Sequence, residues 1–320
     1  MSPPPVLVAG ETLVDFLPER VGSPATVETY RRRAGGASAN VAVALARLDR
    51  APWFWTRLAT DPLGGFLADT LDAAGVPDRF VEHDPDAKTT LALVTHDEAA
   101  VPTFSFYRDR GADTRFEVGT VPDEALDAVE WVVFGGVVLS TDAGRHAARD
   151  LVQRARERDC TVVFDPNARP ELWSEGAFER ALAAVLPLVD VVKASPDDLR
   201  VAGFEASDPE ALARAVCERG PHTVLLTLGG EGSLAVTTDD APWAATRVDH
   251  GGYPVDVVDT TGAGDAFLAG AVAALVDGHD LPEVLAFANA VAARTTTEQG
   301  AMAALPDREA VEAFRADYGS

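Results

Sequence analysis

Asp259 and Asp265 bracket a turn of small residues, Thr-Thr-Gly-Ala-Gly, that runs straight into an apolar stretch over residues 266–276. Ala266, Phe267, Gly270, Ala271, Ala274 and Leu275 recur at helical spacing, so the turn is expected to feed the N-terminus of a helix. The first N–H groups of a helix lack intrahelical partners and carry the positive end of its dipole, which suits an anion such as a phosphate. The backbone of Gly262, Ala263 and Gly264 is bare enough for a phosphate to approach closely. A carboxylate at Asp265 would repel that phosphate unless the reaction uses it. Its natural task is that of a general base, taking the proton of a hydroxyl that attacks phosphorus in line. Acids also occupy first helical turns merely to complement the dipole; the two glycines and the second aspartate favour the chemical reading.

The elements that must position this turn are legible as a rhythm. Five short β-branched runs ending in turn formers, at residues 6–11, 131–136, 161–167, 189–195 and 223–230, read as buried parallel strands. Between them lie patterns apolar on one helical face and charged on the other, as over residues 142–159 and 208–220. This alternation predicts an α/β fold with a mainly parallel, doubly wound sheet flanked by helices. Ligands of such sheets bind beyond the carboxyl ends of the strands, which places Asp165, Asn167, Ser195 and Gly229 on the binding side. Residues 88–107 break the rhythm with two strand-like alternations around an acidic turn, a hairpin. With the extended segment 12–18 it is expected to form a small sheet over the ends of the main one, acting as a lid. Leu91, Leu93, Phe104 and Phe106 are read as one apolar face of that lid, too apolar to be left in water, which predicts a two-fold homodimer through the lid sheet. With no internal repeat or long linker, residues 1–320 are expected to form one folded unit.

Composition narrows the partners. The chain has 51 acidic against 27 basic Lys and Arg residues, a net charge of -24, with Lys88 and Lys193 its only lysines. Such a surface repels a phosphate backbone, so no nucleic-acid partner is expected. The acids are scattered as a solvated surface, and their excess with so few lysines predicts adaptation to high salt, where screening removes self-repulsion. No apolar run is long enough to span a bilayer, so no membrane partner is expected, and the first residues lack the basic region and cleavage site of a signal peptide. A cytoplasmic location follows as the expectation. Cys160 and Cys217 have no metal or redox spacing and read as buried small apolar residues.

The segment DTTGAGDAF resembles the C-terminal signature of the ribokinase-like (PfkB) family of carbohydrate kinases, and GGASANVAVALARL at residues 35–48 resembles its N-terminal signature. GETLVDF, ATDPLGGFL, FDPNARPELW, LTLGGEGSLAV and TTTEQGAMAALP extend the likeness over nearly the whole chain. It implies ATP as phosphoryl donor, magnesium, and a sugar acceptor. Residue by residue, it implies that Asp265 is the catalytic base and that Gly262, Ala263 and Gly264 form the anion hole. Asp15, Gly36, Asn40 and Asn167 match sugar-side positions. Lys193, Ser195, Thr227, Gly229, Gly232 and Asn289 match the nucleotide side. Relatives with Asn-x-x-Glu near magnesium correspond here to Ser195 and Asp198, whose shorter side chains would act through water. Asp259 and Thr261 match a monovalent-cation site of some relatives, which leaves potassium open.

The YR and N-x-R-x-x-L-W patterns around Arg108 and Arg169 resemble the fructokinase branch, and they also occur in 2-keto-3-deoxygluconate kinases. A keto acid needs a cation for its carboxylate, which Arg108 could supply unless it pairs at the surface with Asp109 or Asp113. Fructose is favoured, with 2-keto-3-deoxygluconate or ribose as alternatives. A catalytically silent sugar- or nucleotide-binding regulator is the non-enzyme rival, disfavoured by the intact Asp265 turn. A dinucleotide oxidoreductase would need a G-x-G-x-x-G turn after the first strand, which VAGETLVD is not.

Overall fold

Buried β-branched runs become the centre of a large sheet. In the computed structural model, which describes residues 4–20, 22, 25–96, 102–243 and 246–318, the strands in chain order are β1 (Val6–Ala9), β2 (Leu13–Pro18), β3 (Tyr30–Gly35), β4 (Trp53–Ala59), β5 (Val81–Asp84), β6 (Leu91–His96), β7 (Pro102–Tyr107), β8 (Trp131–Gly135), β9 (Thr161–Asp165), β10 (Val191–Ala194), β11 (Thr223–Thr227), β12 (Ser233–Thr237) and β13 (Arg247–His250). Nine of them make one sheet in the order β13-β12-β11-β10-β9-β8-β1-β4-β5. It is parallel from β5 to β11, and β12 and β13 continue it antiparallel. The five strands expected from sequence are β1 and β8 to β11, while β4, β5, β12 and β13 extend the sheet beyond that expectation.

Alternation within each strand divides the core. On β8, Val132 and Phe134 pack with the helices Asp142–Arg156, Ala177–Val185 and Pro209–Cys217. Trp131 and Val133 face Ala37–Arg47, Ala263–Val276 and Leu281–Thr296 on the opposite side. Helices therefore cover both faces, as parallel strands apolar on both sides require. No described helix is long and apolar enough to cross a membrane. Both cysteines are free.

The second sheet has four strands in the order β3-β2-β6-β7. The 12–18 segment and the hairpin join as expected, and the hairpin's acidic turn, residues 97–101, lies outside the described residues. The fourth strand, β3, carries Arg31, Arg32 and Arg33 on an exposed edge, where charge guards against stray pairing. The register corrects the expected apolar face. Ala92 pairs with Phe106 and Val94 with Phe104, whereas Leu91 opposes Tyr107 and Leu93 opposes Ser105. Directly opposed residues share a face, so Phe104 and Phe106 lie on the other side of the sheet from Leu91 and Leu93. The Leu91 side, with Val14 and Phe16, packs on Leu63, Phe66 and Leu67 of the helix Pro62–Ala73. The Phe104 side, with Asp15 and Val94, lines a cavity. The apolar residues are thus spent within the chain rather than pooled on one outer face.

Candidate active site

The helix Ala263–Val276 starts on Gly262, whose φ of 79° is left-handed, and no side chain caps it. By contrast, the helices beginning at Pro62, Asp142, Pro196, Pro209 and Leu281 are each capped by a side-chain oxygen of the preceding residue. The N–H of Ala263 is taken by the Thr260 carbonyl at 3.2 Å, and with no side-chain cap the rest of this helix start suits an anion. The turn is also tightly seated, since a Cβ on Gly262 would lie 2.7 Å from the Cβ of Ala301.

Asp265 turns inward and is 7% exposed. Its Oδ2 accepts from Nδ2 of Asn40 at 2.8 Å, and its Oδ1 from Nδ2 of Asn167 at 3.3 Å. Asn40 projects from the helix Ala37–Arg47, which starts on Gly36 at a φ of 103°. On the same helix Ser38 donates its N–H and hydroxyl to Glu11. Asn167 follows β9 in the left-handed region, with φ 37°. The Oδ1 atoms of Asn40 and Asn167 are buried without a partner. Two acceptors beside a carboxylate therefore await hydroxyl donors. Behind Asn167, Asp165 accepts its backbone N–H through Oδ1 at 3.0 Å, and the ammonium of Lys193 through Oδ2 at 2.9 Å.

Burial dominates the electrostatics. It raises the Asp265 carboxyl, against the opposing pull of Lys193, the Asn40 hydrogen bond and Arg169. Burial likewise pushes Asp165 up to about 6, opposed mainly by Lys193. Asp15 is pushed up to about 7 by burial with help from Asp265, Arg169 opposing. Lys193 is raised: burial would lower it, and the surrounding Asp165, Asp198 and Asp265 outweigh burial. Perturbed carboxylates gathered at strand ends are typical of functional sites.

Two cavities meet at the Asp259–Gly264 turn. One, of about 680 Å³, is lined by Asp15, Arg33, Val94 and Phe104 from the small sheet and by Asp259 and Thr261. The other, of about 440 Å³, is lined by Thr227, Gly229, Gly232, Asn289, Ala263 and Gly264. Val257 and Thr260 border both. Asp265 lies just behind the turn, in a narrow cleft with Asp165 and Asn167.

Most residues singled out from sequence converge here, and several take roles that sequence did not foresee. Arg169 stacks over Phe104, 5.6 Å from the ring centre, and acts on Asp15 and Asp265. Arg108 is not held free for a substrate carboxylate: its Nε binds Asp113 at 2.8 Å and its Nη1 binds the Ser140 hydroxyl at 2.6 Å. That pair is buried rather than on the surface. Lys193 is not on the nucleotide cavity either; it is 4% exposed and bound to Asp165. Asn289 borders that cavity while donating to Ser233 and to the carbonyl of Leu285. Ser195 and Asp198 form a capping box, and the other Asp198 oxygen accepts from the N–H of Ala168. Asp259 accepts from the N–H and hydroxyl of Thr261 and from the N–H of Gly300. Among the described residues no cluster of three His, Cys, Asp or Glu side chains could hold a metal unaided. Glu11, fully buried against Ser38, was missed as a site element, whereas Asp165 and Lys193 were expected on the binding side and at the nucleotide but not as partners of each other, although a lysine inside the apolar run VDVVKAS was a signal of that pair.

The family model described as pfkB family carbohydrate kinase matches residues 4–308. A probable fructokinase-6, chloroplastic, of Arabidopsis thaliana is 34% identical over 96% of this chain and 81% of its own length. A fructokinase from Xylella fastidiosa with bound ATP superposes with a TM-score of 0.84 at 30% identity, covering 98% of this chain and 99% of that one. A fructokinase double mutant from Vibrio cholerae O395, in fructose-, ADP- and potassium-bound form, gives a TM-score of 0.84 at 29% identity over 98% of this chain and 99% of that one.

Proposed function

This chain belongs to the pfkB family of carbohydrate kinases, and we propose that it transfers the γ-phosphoryl group of ATP to a hydroxyl of a ketose, fructose first. The observation that carries the reading is the uncapped Gly262–Gly264 turn, with Asp265 behind it and a cavity on either side. The nucleotide would occupy the cavity of Thr227, Gly229, Gly232 and Asn289, and the sugar that of Asp15 and Phe104. The turn's N–H groups would take the charge of the transferring group, and Asp265 the proton of the attacking hydroxyl. Asn40 and Asn167 donate to the two Asp265 oxygens, and their unpartnered Oδ1 atoms would accept from sugar hydroxyls. Closure of the small sheet as a lid would keep water from the phosphoryl group. Magnesium would arrive on the ATP phosphates, neutralising their charge, with Asp198 reached through water because both its oxygens already accept protein hydrogen bonds. A monovalent cation would act at the Asp259–Thr261 turn.

Engagement of Arg108 by Asp113 and Ser140 favours a neutral ketose over a keto acid, whose carboxylate would need that guanidinium. The test is coupled ADP release over fructose, ribose, 2-keto-3-deoxygluconate and nucleosides, with magnesium-ATP in high potassium chloride. Turnover with fructose is expected to lead, and release with nucleosides alone would overturn the assignment.

A further inference from the structure

Lys193 and Asp165 are a buried ion pair set into two central strands, β10 and β9. Each is at most 4% exposed. Taking both charges out of water costs several kcal/mol per ion, and well-packed apolar residues of similar size usually serve the fold as well or better. Stability alone therefore gives little reason for the pair. Its position offers one: Asp165 closes β9 and Lys193 lies one residue from the end of β10, so both sit at the carboxyl edge of the sheet. The ammonium reaches the inner side of the anion-hole turn, because a Cβ on Gly264 would stand 2.8 Å from Lys193 Nζ. Glycine at 264 thus leaves room for a cation beneath the turn as well as for a phosphate above it.

We propose that Lys193 is a positioning residue for phosphoryl transfer: pinned by Asp165 under Gly264, the residue before Asp265, it lays a fixed positive charge behind the anion hole. The role rests on the kinase reading above. The charged groups facing Asp265 are Glu11 after β1, Asp15 on β2, Asp165 on β9, Arg169 in the loop after β9 and Lys193 on β10. Three of these five are carboxylates, and of the two cations only Lys193 is buried among the strands. Asn40 and Asn167 add amide donors but no charge. Removing Lys193 would leave Asp265 among carboxylates in a dry site, where a proton is the cheapest counter-ion.

Lys193→Met keeps length and loses charge. It is expected to lower kcat at least ~30-fold, in the range of losing a preorganised electrostatic partner, with KM for fructose and ATP within about threefold because Lys193 touches neither cavity. The acid limb of the kcat profile should move to higher pH. The double variant Asp165→Asn/Lys193→Met removes the unpaired charge and keeps an oxygen for the Asn167 N–H. It should regain the wild-type melting temperature and remain slow. Recovery of kcat in the double variant would mean that Lys193 merely neutralises Asp165, and the proposal would be overturned. If Lys193→Met alone does not fold, the double variant decides. Carboxyl ¹³C titration without sugar gives a readout independent of the substrate assignment: Asp265 should titrate higher without Lys193, and an unmoved Asp265 overturns the proposal even in an active kinase. A wild type that phosphorylates no ketose sinks the substrate reading and leaves this titration standing.

Discussion

Replacing Asp265 by Asn tests the base role with unusually little collateral damage, and the structure says why. Both Asp265 oxygens accept amide N–H groups, from Asn40 at 2.8 Å and Asn167 at 3.3 Å. An Asn side chain would present one NH2 to one of those donors, a clash of like polarity. The clash is relieved by turning the Asn40 or Asn167 amide over, because each has an Oδ1 with no partner to lose. Lys193 keeps Asp165, and one buried negative charge is removed from a site where burial already disfavours it. The melting temperature should therefore stay level or rise. Turnover should fall by roughly 10²–10⁴, the usual contribution of a positioned general base, or about 3–5 kcal/mol on the barrier. Coupled ADP release at saturating fructose and magnesium-ATP reads the rate, and calorimetric titration with fructose reads binding, expected within a few-fold of wild type. A mutant that turns over at near wild-type rate would refute the assigned role.

Gly262→Ala forces a φ of 79° on a residue with a Cβ and drives that atom to 2.7 Å from Ala301; the left-handed penalty alone is roughly 1–2 kcal/mol, so both melting temperature and kcat should drop, and an unchanged pair of values would contradict the tight seating of the turn. Asp15 rises from 3.8 unfolded to about 7 folded, so the native state binds the extra proton and its stability should decline as pH rises from about 4 through 7. Asp15→Asn should flatten that decline in melting temperature while raising KM for fructose. A net charge of -24 predicts a higher melting temperature in molar than in dilute potassium chloride, and a flat or falling value would count against salt adaptation. Fructose should slow hydrogen exchange in β6 and β7 if the small sheet closes as a lid, and pairing of the exposed β7 edge with its copy should give a dimer on sedimentation in high salt.

What was legible in the sequence follows from how local each signal is. The runs at β1 and β8 to β11 announce themselves because strands buried on both faces must be apolar at every position. The Asp259–Asp265 turn is equally local, a helix start stripped of side chains. β3 stayed hidden because an exposed edge strand of arginines has no apolar alternation to read. The two faces of the β6–β7 hairpin were joined wrongly for a different reason. Each strand alternates plainly, but which face of one meets which face of the other depends on the turn between them, and a shift of one residue exchanges the faces. The pairings around the base are more remote still. Asn40 reaches Asp265 across 225 residues, from one helix to another, and Lys193 reaches Asp165 across 28, through the register of parallel strands. Sequence could therefore name a candidate base and its turn, while the cation beneath that turn emerged only when two strands were laid side by side. A lysine in an apolar strand is costly wherever it stands, and at a strand's carboxyl end beside a helix N-terminus that cost is best explained by the charge it brings to the reaction.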